Sequence, residues 1–241
     1  MKRHLSFVLF VIFSIVQTGN SLRADDCLKE LLHAQVKKNH QPAESYHEAR
    51  GFLFGKLHLE LDSQGYFIED VYCHLNFGPK VGVGTMKIPN SNILNTEHTW
   101  PQSKFVPHER SAQKTDLHHL FPSQNKANSY RANMIFAEVE ADQGLGHNCE
   151  TSKRGKAEGT NIDAFEPPEN HKGNVARALF YFSIRYKASI GQVEEGHLRK
   201  WNELDPPNDE ERKRNDLIEG YQGNRNPFID DPELVHRIKN F

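Results

Sequence analysis

The centre of the sequence contains two segments, Asn95-Thr96-Glu97-His98-Thr99-Trp100-Pro101 and Asp116-Leu117-His118-His119-Leu120-Phe121-Pro122. The second continues directly into Ser123-Gln124-Asn125-Lys126-Ala127-Asn128-Ser129-Tyr130-Arg131. We interpret these segments as a strand, a loop, a second strand and a helix, together covering about 93–133. They bring a carboxylate, several imidazoles, an amide and a guanidinium into one region. We therefore expect the functional site here.

The predicted strands restrict which side chains can share that site. Neighbours on a strand point to opposite faces, so Glu97 and His98 can act together only at a strand end or a bulge, where the alternation breaks. On the second predicted strand, Asp116 and His118 share one face and His119 points to the other. Only one imidazole of the histidine pair is therefore expected to face the site.

The predicted helix adds ligands for a metal ion. Asn125, Asn128 and Arg131 recur every third residue, which places them on one side of a helix. The Glu97 carboxylate and the Asn128 amide oxygen are hard donors, and two such ligands with water are typical of Mg²⁺ beside a phosphate. His98, with an ordinary pKa near ~6.5, is suited to accept a proton from water. This combination indicates phosphodiester hydrolysis, with Arg131 gripping a phosphate.

The first residues have the layout of a secretory signal peptide. The basic stretch 2–4 precedes an apolar run over 5–16, and small polar residues follow to Ser21. An apolar run of this length is too short for a bilayer, which needs about 20 residues. Cleavage after Ser21 or Ala24 fits the pattern. We predict a signal peptide over 1–24 and a single exported domain over 25–241, with no membrane attachment after cleavage.

Composition sets broader bounds on the protein. The chain has 241 residues, 37% of them hydrophobic, which is enough for one substantial core. The net charge of −2 excludes a strongly basic nucleic-acid footprint over the whole chain, although the region 98–131 has five basic and two acidic residues. Export permits one disulfide among Cys27, Cys73 and Cys149, and the sequence leaves all three pairings open.

The remaining sequence predicts many helices and few, short strands, an α+β fold that is predominantly helical with a small antiparallel sheet. Helix starts are indicated at Asp26, at the capping box beginning with Ser45, at Gly173, and at Asn208, which has Glu211 three residues later. The segment 59–77 fits either strand or helix, and the Gly- and Lys-rich segment 142–168 is interpreted as a long surface loop.

Several motifs in order along the chain resemble the bacterial endonuclease I family of exported, nonspecific nucleases, which belongs to the ββα-metal or His-Me finger superfamily. The motifs are Glu97-His98-Thr99-Trp100-Pro101-Gln102-Ser103, Asp116–Pro122, Asn128-x-x-Arg131-x-Asn133, Gly173-Asn174-Val175-Ala176-Arg177-Ala178 and Gln222-Gly223-Asn224-Arg225-Asn226-Pro227-Phe228-Ile229-Asp230. Together they extend over most of the chain after the predicted signal peptide.

The resemblance implies a ββα-metal motif in which Glu97 and Asn128 ligate one Mg²⁺, with Mn²⁺ or Ca²⁺ as substitutes, while His98 activates the attacking water. It implies cleavage of DNA, and often of RNA, with little sequence preference, leaving 5′-phosphate and 3′-hydroxyl ends. Arg131 is the expected phosphate contact. The motifs do not place the additional phosphate-binding residue between the two strands, for which Arg110 and Lys104 are candidates. The protein is expected in the periplasm or outside the cell, as a monomer.

Two features depart from the family pattern. Some relatives carry an acidic residue near the position of Lys114 that can orient the catalytic histidine, so here Asp116 or a backbone carbonyl would have to do so. We interpret His118 and His119 as supporting residues. Three cysteines also cannot reproduce the several disulfides of some relatives.

Two other functions compete with the nuclease interpretation. A catalytically inactive nucleic-acid-binding protein of the same fold need not retain the complete set of Glu97, His98 and Asn128, which this chain has. A zinc hydrolase is disfavoured because the sequence contains no His-Glu-x-x-His motif.

Overall fold

The computed structural model describes residues 25–146 and 148–241. The predicted signal peptide, residues 1–24, lies outside the described residues. The first described helix, α1, covers residues 25–38 and buries Leu32 and Val36. This confirms the helix predicted near Asp26.

Helix α2 spans Tyr46–Phe52 and runs into one wider helical turn, Leu53–Leu57. Its start follows from the predicted capping signal, because the Ser45 hydroxyl accepts a hydrogen bond of 3.1 Å from the Glu48 backbone N–H. The buried face of α2, which includes Ala49, packs in a small apolar core.

The undecided segment 59–77 forms strands. β1 (Glu60–Asp62), β2 (Gly65–Glu69) and β3 (Asn76–Phe77) make an antiparallel sheet in the order β1-β2-β3. Gly65 has a φ of 119°, which a residue with a side chain rarely adopts, so this glycine permits the tight turn between β1 and β2.

The central hairpin agrees with the sequence prediction in its main parts. β4 (Leu94–His98) pairs antiparallel with β5 (Leu120–Gln124), and helix α4 (Asn125–Arg131) follows β5 without a gap. Helix α3 (Arg110–Thr115) lies in the connection between the two strands.

The predicted start of the second strand is wrong, because residues 116–119 are not extended. Leu117–His119 forms a 3₁₀ turn, and the Asp116 carboxylate caps that turn by accepting a hydrogen bond of 3.1 Å from the His118 backbone N–H. An aspartate that bonds the backbone two residues on favours a turn over a strand. The strand alternation expected for 116–119 therefore does not apply.

The interpretation of 142–168 as a surface loop is also wrong for the two segments that form β7 and β8. β6 (Ile135–Phe136), β7 (Lys153–Lys156) and β8 (Asp163–Glu166) form a sheet in the order β6-β8-β7, with β6 parallel and β7 antiparallel to β8. Ala164 and Phe165 are buried, and a Cβ on Gly155 would lie 2.3 Å from the Ala141 backbone oxygen. The close approach of that backbone explains a glycine inside a strand.

The C-terminal half is helical. It contains α5 (Glu169–Tyr186), α6 (Gln192–Leu204), α7 (Asp209–Gln222) and α8 (Pro227–Asp230). α5 begins before Gly173, where we predicted its start, because the extended backbone of Pro168 precedes its first turn. At α7 the prediction is confirmed, since the Asn208 side chain accepts a hydrogen bond of 2.8 Å from the Glu211 backbone N–H.

The main core surrounds α5 and includes Phe180, Tyr181, Phe182 and Trp201. Helices packed around short sheets confirm the predicted α+β fold class. Within the described ranges, no helix combines the length and apolar character required to cross a membrane.

The motif that begins at Gly173 has a structural explanation. Arg177 is fully buried and forms an ion pair with Glu211 on α7 at 2.5 Å. A Cβ at position 173 would lie 1.9 Å from the Asp205 backbone oxygen and 2.7 Å from the Arg177 guanidinium. Only glycine allows the start of α5 to approach Asp205, which follows α6, while the Arg177–Glu211 ion pair connects α5 to α7.

The structure also selects one of the three possible disulfides. Cys73 and Cys149 are bonded, and Cys27 is an exposed free thiol. The bond connects the loop after β2 to the segment before β7.

We expect the double variant Cys73→Ala/Cys149→Ala to lose stability. The bonded residues are 76 positions apart in sequence. Closing a loop of that length restricts the unfolded chain enough to contribute about 4 kcal/mol to the free energy of unfolding. Denaturant unfolding of the parent and the double variant under non-reducing conditions measures the loss. Cys27→Ser is the control and should change the unfolding free energy by less than about 0.5 kcal/mol. Equal unfolding midpoints for parent and double variant would contradict the prediction.

Candidate active site

The end of β4 places Glu97 and His98 side by side in the interior. Glu97 is 1% exposed and His98 is 6% exposed. The strand ends at His98, and the Thr99 N–H donates a hydrogen bond of 3.0 Å to the His119 backbone oxygen. The two side chains thus lie at a strand end, which is the arrangement that the sequence required for a shared site.

The Glu97 carboxylate lacks a well-aligned donor. Arg131 Nη1 lies 3.1 Å from Glu97 Oε1, but the Arg131 guanidinium directs its N–H bonds at the backbone oxygens of His98 and Thr99. Oε1 therefore has no hydrogen-bond partner among the described residues. Burial raises the pKa of Glu97, and the charge of Arg131 opposes that shift. A hydrogen bond from Tyr72 also opposes it. A buried carboxylate oxygen that accepts no aligned hydrogen bond is suited to a cation.

Helix α4 carries the second potential ligand. Asn128 Nδ2 donates a hydrogen bond of 3.0 Å to the Thr96 backbone oxygen, and Asn95 donates one of 3.2 Å to Asn125 Oδ1. The three residues predicted on one side of this helix, Asn125, Asn128 and Arg131, therefore all contact β4 or the residue after it. Because the Asn128 amide nitrogen already donates this hydrogen bond, the amide oxygen is left available as a ligand.

The tautomer of His98 follows from its neighbours. His98 Nε2 lies 3.1 Å from the Lys114 backbone oxygen, and a carbonyl can only accept, so Nε2 carries the proton. Nδ1 then has the lone pair, with Gln102 Nε2 at 3.4 Å. Burial, followed by the neighbouring His119, lowers the pKa of His98 to about 3. The imidazole is thus neutral at physiological pH. Of the two orienting groups that the sequence left open, the structure has a backbone carbonyl.

The histidine pair divides between two surroundings. The His119 ring lies 5.4 Å from the His98 ring, and its Nε2 lies 2.6 Å from the Gln113 backbone oxygen. The His118 ring instead packs on Tyr181 at 4.3 Å. Of the pair, His119 therefore packs against His98 and His118 does not, and the 3₁₀ turn, rather than the strand alternation we expected, separates the two rings.

Asp116 connects the 3₁₀ turn to the helices behind it. Its carboxylate is fully buried and accepts hydrogen bonds from the hydroxyls of Tyr181 at 2.9 Å and Tyr186 at 2.8 Å, and from Gln222 Nε2 at 2.8 Å. Burial alone would raise the pKa of Asp116, but the neighbouring His40 and other polar groups hold it below its usual range. Asp116 thus holds the turn in place, and none of these hydrogen bonds involves His98.

The two arginines predicted to bind phosphate have different positions. Arg131 is 1% exposed, and its bonds to backbone oxygens favour a role in holding the strand end and Glu97. Arg110 is exposed and donates a hydrogen bond of 3.2 Å to the Phe105 backbone oxygen. The Phe105 ring lies 6.0 Å from the His98 ring, so Arg110 is at the rim of the site.

Sequence reasoning missed two neighbours of His98. The Tyr46 ring, from α2, lies 5.6 Å from the His98 ring, and Gln102 approaches His98 Nδ1. The capping box predicted the helix that carries Tyr46, but no local signal indicates what the face of a helix will contact. Gln102 lies inside the quoted motif that begins at Glu97, so its place in that motif was the available signal.

A metal ion at this site would have few protein ligands. The described residues contain no group of three or more His, Cys, Asp or Glu side chains that could hold a metal. An ion bound by the oxygens of Glu97 and Asn128 would keep water at its other positions, as Mg²⁺ commonly does. The donor set fits that ion, because it consists of a carboxylate oxygen that accepts no aligned hydrogen bond and an amide oxygen whose nitrogen is already bonded.

Comparison with known proteins gives related nucleases. A model of the endonuclease I family matches residues 25–233. The chain is 37% identical to an extracellular ribonuclease of Bacillus subtilis (strain 168) over 169 residues, which cover 62% of this chain and 55% of the relative. It is 37% identical to an extracellular ribonuclease of Bacillus amyloliquefaciens over 164 residues, 60% of this chain and 53% of the relative.

A further relative is named for action on DNA. The chain is 28% identical to an extracellular deoxyribonuclease of Aeromonas hydrophila over 123 residues, which cover 51% of each chain. The chain thus spans about half the length of the relatives it matches. The family model, in contrast, extends over most of the sequence and includes the candidate site. The chain therefore belongs to the endonuclease I family.

Proposed function

We propose that this protein is an exported, Mg²⁺-dependent endonuclease that hydrolyses phosphodiester bonds in DNA and RNA with little sequence preference. The observation that carries the proposal is the neutral His98, oriented through Nε2, which follows Glu97 at the end of β4, the strand that Asn128 contacts. The relatives named ribonuclease and deoxyribonuclease support both kinds of substrate.

Glu97 and Asn128 would hold the metal ion. When bound, Mg²⁺ supplies Lewis-acid stabilisation of the charge that develops on the phosphate and the leaving 3′ oxygen. Mn²⁺ and Ca²⁺ accept the same oxygen ligands and are expected to occupy the same position. Arg131 contributes by holding Glu97 and the end of β4 in place.

His98 acts as the general base. Its Nδ1 lone pair takes a proton from the attacking water, while the Lys114 carbonyl keeps the other proton on Nε2 and fixes the ring. The water oxygen forms a bond to phosphorus as the bond to the 3′ oxygen breaks. The departing 3′ oxygen takes a proton from solvent water, so the products are a 5′-phosphate and a 3′-hydroxyl. His119 packs beside His98, and Asp116 and His118 support the turn on which His119 lies.

The proposed breadth of substrates rests on phosphate contacts, and the proposed export of the protein rests on its relatives. Contacts to phosphate carry little base information, so a site that reads the backbone cuts many sequences. Relatives named extracellular and periplasmic support export. We propose that the protein acts as a monomer, with one nuclease domain over 25–241 after removal of residues 1–24.

Metal removal is the direct test of this proposal. Purified protein comprising residues 25–241 should nick supercoiled plasmid in Mg²⁺, stop in excess EDTA, and recover when Mg²⁺ is added back. The nicked ends should be sealed by DNA ligase without prior kinase treatment, because they carry 5′-phosphates. Cleavage that persists in EDTA would contradict metal dependence. Binding of DNA without cleavage of DNA or RNA in any divalent ion would instead favour the inactive binding protein.

A further inference from the structure

We propose that Arg50 and Lys114, which both approach the Tyr46 ring, bind the phosphate backbone of the strand being cut. This inference rests on the proposed nuclease function and adds two substrate contacts to it. Neither residue belongs to the motifs through which the sequence resembles the family.

The Tyr46 ring is the centre of this arrangement. Its centroid lies 5.6 Å from that of the His98 ring, 5.7 Å from Arg50 Cζ and 4.8 Å from Lys114 Nζ. Arg50 is four residues after Tyr46 on α2, so both side chains emerge from one face of that helix. Arg50 Cζ also lies 5.7 Å from the Phe54 ring. Two cations thus approach the same ring that borders the general base.

Arg50 lacks the partners that other interior arginines have. Its Nε and Nη2 atoms are shielded from solvent and have no hydrogen-bond acceptor, and Arg50 forms no ion pair within the described part of the chain. Arg177, in comparison, is paired with Glu211. A half-buried guanidinium without a carboxylate leaves its charge uncompensated. Its fork of N–H donors matches the oxygens of a phosphate.

Lys114 approaches the site from the other side. Its backbone oxygen holds His98 Nε2 at 3.1 Å, so the position of its backbone relative to the base is fixed. The side chain is half-buried and, among residues 25–146 and 148–241, forms no ion pair with a carboxylate. Its ammonium group instead lies over the Tyr46 ring. One residue would therefore both orient the base and contact the substrate.

The ligand that suits this pair is an anion that reaches His98. Two cations without carboxylate partners, next to a base that attacks phosphorus through water, favour the phosphate groups of a nucleic-acid strand. Burial raises the pKa of Tyr46, so its hydroxyl stays protonated and the ring that both cations approach remains neutral. Tyr46 is a positioning residue in this arrangement.

The test compares Arg50→Met, Lys114→Met and Arg50→Lys with the parent. Lys56→Met is the matched control, because it also removes one positive charge. Lys56 follows α2, and its ammonium group lies over the Phe52 ring at 5.6 Å. Binding of a fluorescein-labelled single-stranded oligonucleotide is measured in EDTA at several KCl concentrations. Steady-state cleavage in Mg²⁺ gives kcat and KM for each variant.

Each methionine substitution at position 50 or 114 should weaken binding by about 10-fold or more, the effect of losing a hydrogen bond to a charged group. It should also lower the slope of log affinity against log salt by about 0.7, the value for one phosphate contact on a single strand. In the cleavage assay, the loss of affinity should appear mainly as an increase in KM. Arg50→Lys should keep the salt slope and lose part of the affinity, because it retains charge without the fork.

The outcomes distinguish a failure of the proposed nuclease function from a failure of the phosphate-binding inference. A parent protein that neither binds nor cuts nucleic acid refutes the proposed function itself. If the parent binds and cuts, but Arg50→Met and Lys114→Met have the salt slope and KM of Lys56→Met, the phosphate-binding inference is overturned. Thermal unfolding of every variant identifies a folding defect. If Arg50→Met does not fold, Lys114→Met and Arg50→Lys still decide the question.

Discussion

His98→Ala is expected to lower the rate of plasmid nicking by about three orders of magnitude, within the range for loss of a general base. The reason is that Nδ1 carries the lone pair of the neutral His98 ring, and alanine leaves no base at that position. Oligonucleotide binding should be nearly unchanged, because the proposed phosphate contacts come from other residues. The loss should therefore appear in kcat.

The measurement compares initial nicking rates of the parent, His98→Ala and His47→Ala. His47 is an exposed histidine on α2, so its replacement controls for removal of an imidazole near the site. Added free imidazole should partly restore cleavage by His98→Ala, since the deleted ring leaves space for it. Equal nicking by His98→Ala and the parent would show that His98 is not the base, even if the family assignment holds.

Local sequence signals predicted much of the fold because their physics is local. Ser45 and Asn208 accept backbone hydrogen bonds from residues three positions later, so the sequence contains both partners of each helix cap. The same applies to the side of α4 that carries Asn128, which depends only on helical spacing. Such features do not depend on how the remaining chain folds.

The errors arose where distant partners decide the structure. Asp116 accepts hydrogen bonds from Tyr181 and Gln222, which are 65 and 106 residues away, and these contacts favour a turn where the sequence suggested a strand. The strands β7 and β8 have polar residues that are typical of loops. Their pairing with each other and with β6 compensates for that composition.

In the candidate site, too, some residues could be predicted from local sequence and others depend on distant contacts. Glu97, His98 and Asn128 could be selected because their chemistry is visible in side-chain type and spacing. The group that orients His98 could not be selected, because it is the backbone oxygen of Lys114, and every residue has such an oxygen. Tyr46 lies 52 positions before His98 and reaches it only through the packing of α2.

The second large effect is expected from acid. The free energy of unfolding should fall steeply as pH decreases from about 6.5 to about 4, because buried histidines resist protonation in the folded protein. Burial lowers the pKa of His118 to about 3, of His119 to about 4 and of His171 to about 3. Asp116 partly opposes the shift at His118 and His119, while Arg214 reinforces it at all three histidines.

Stability falls with pH because the pKa values of these histidines are lower in the folded protein than in the unfolded chain. At pH 7 neither the folded nor the unfolded chain protonates these rings appreciably, so their contribution to stability is complete. Between about pH 6.5 and 4 the unfolded chain takes up the protons and the folded protein does not, which removes up to about 1.4 kcal/mol per pH unit for each histidine. Asp116 adds nothing in most of this window, since its carboxylate is ionised in both states until the pH approaches its unfolded value near ~3.9.

Denaturant unfolding at pH 7.5, 6.5, 5.5 and 4.5 tests the prediction. His171 has its ring 4.9 Å from that of Phe121 and 6.2 Å from that of Tyr72, so His171→Phe keeps an aromatic ring there and removes one titrating group. This variant should show a slope of unfolding free energy against pH that is smaller by about 1.4 kcal/mol per unit, whereas exposed His47→Ala should keep the parent slope. A parent whose unfolding free energy is constant between pH 7.5 and 4.5 would contradict the prediction. It would mean that the interior opens enough to protonate these rings without unfolding, and the packing that fixes His98 would then be equally open.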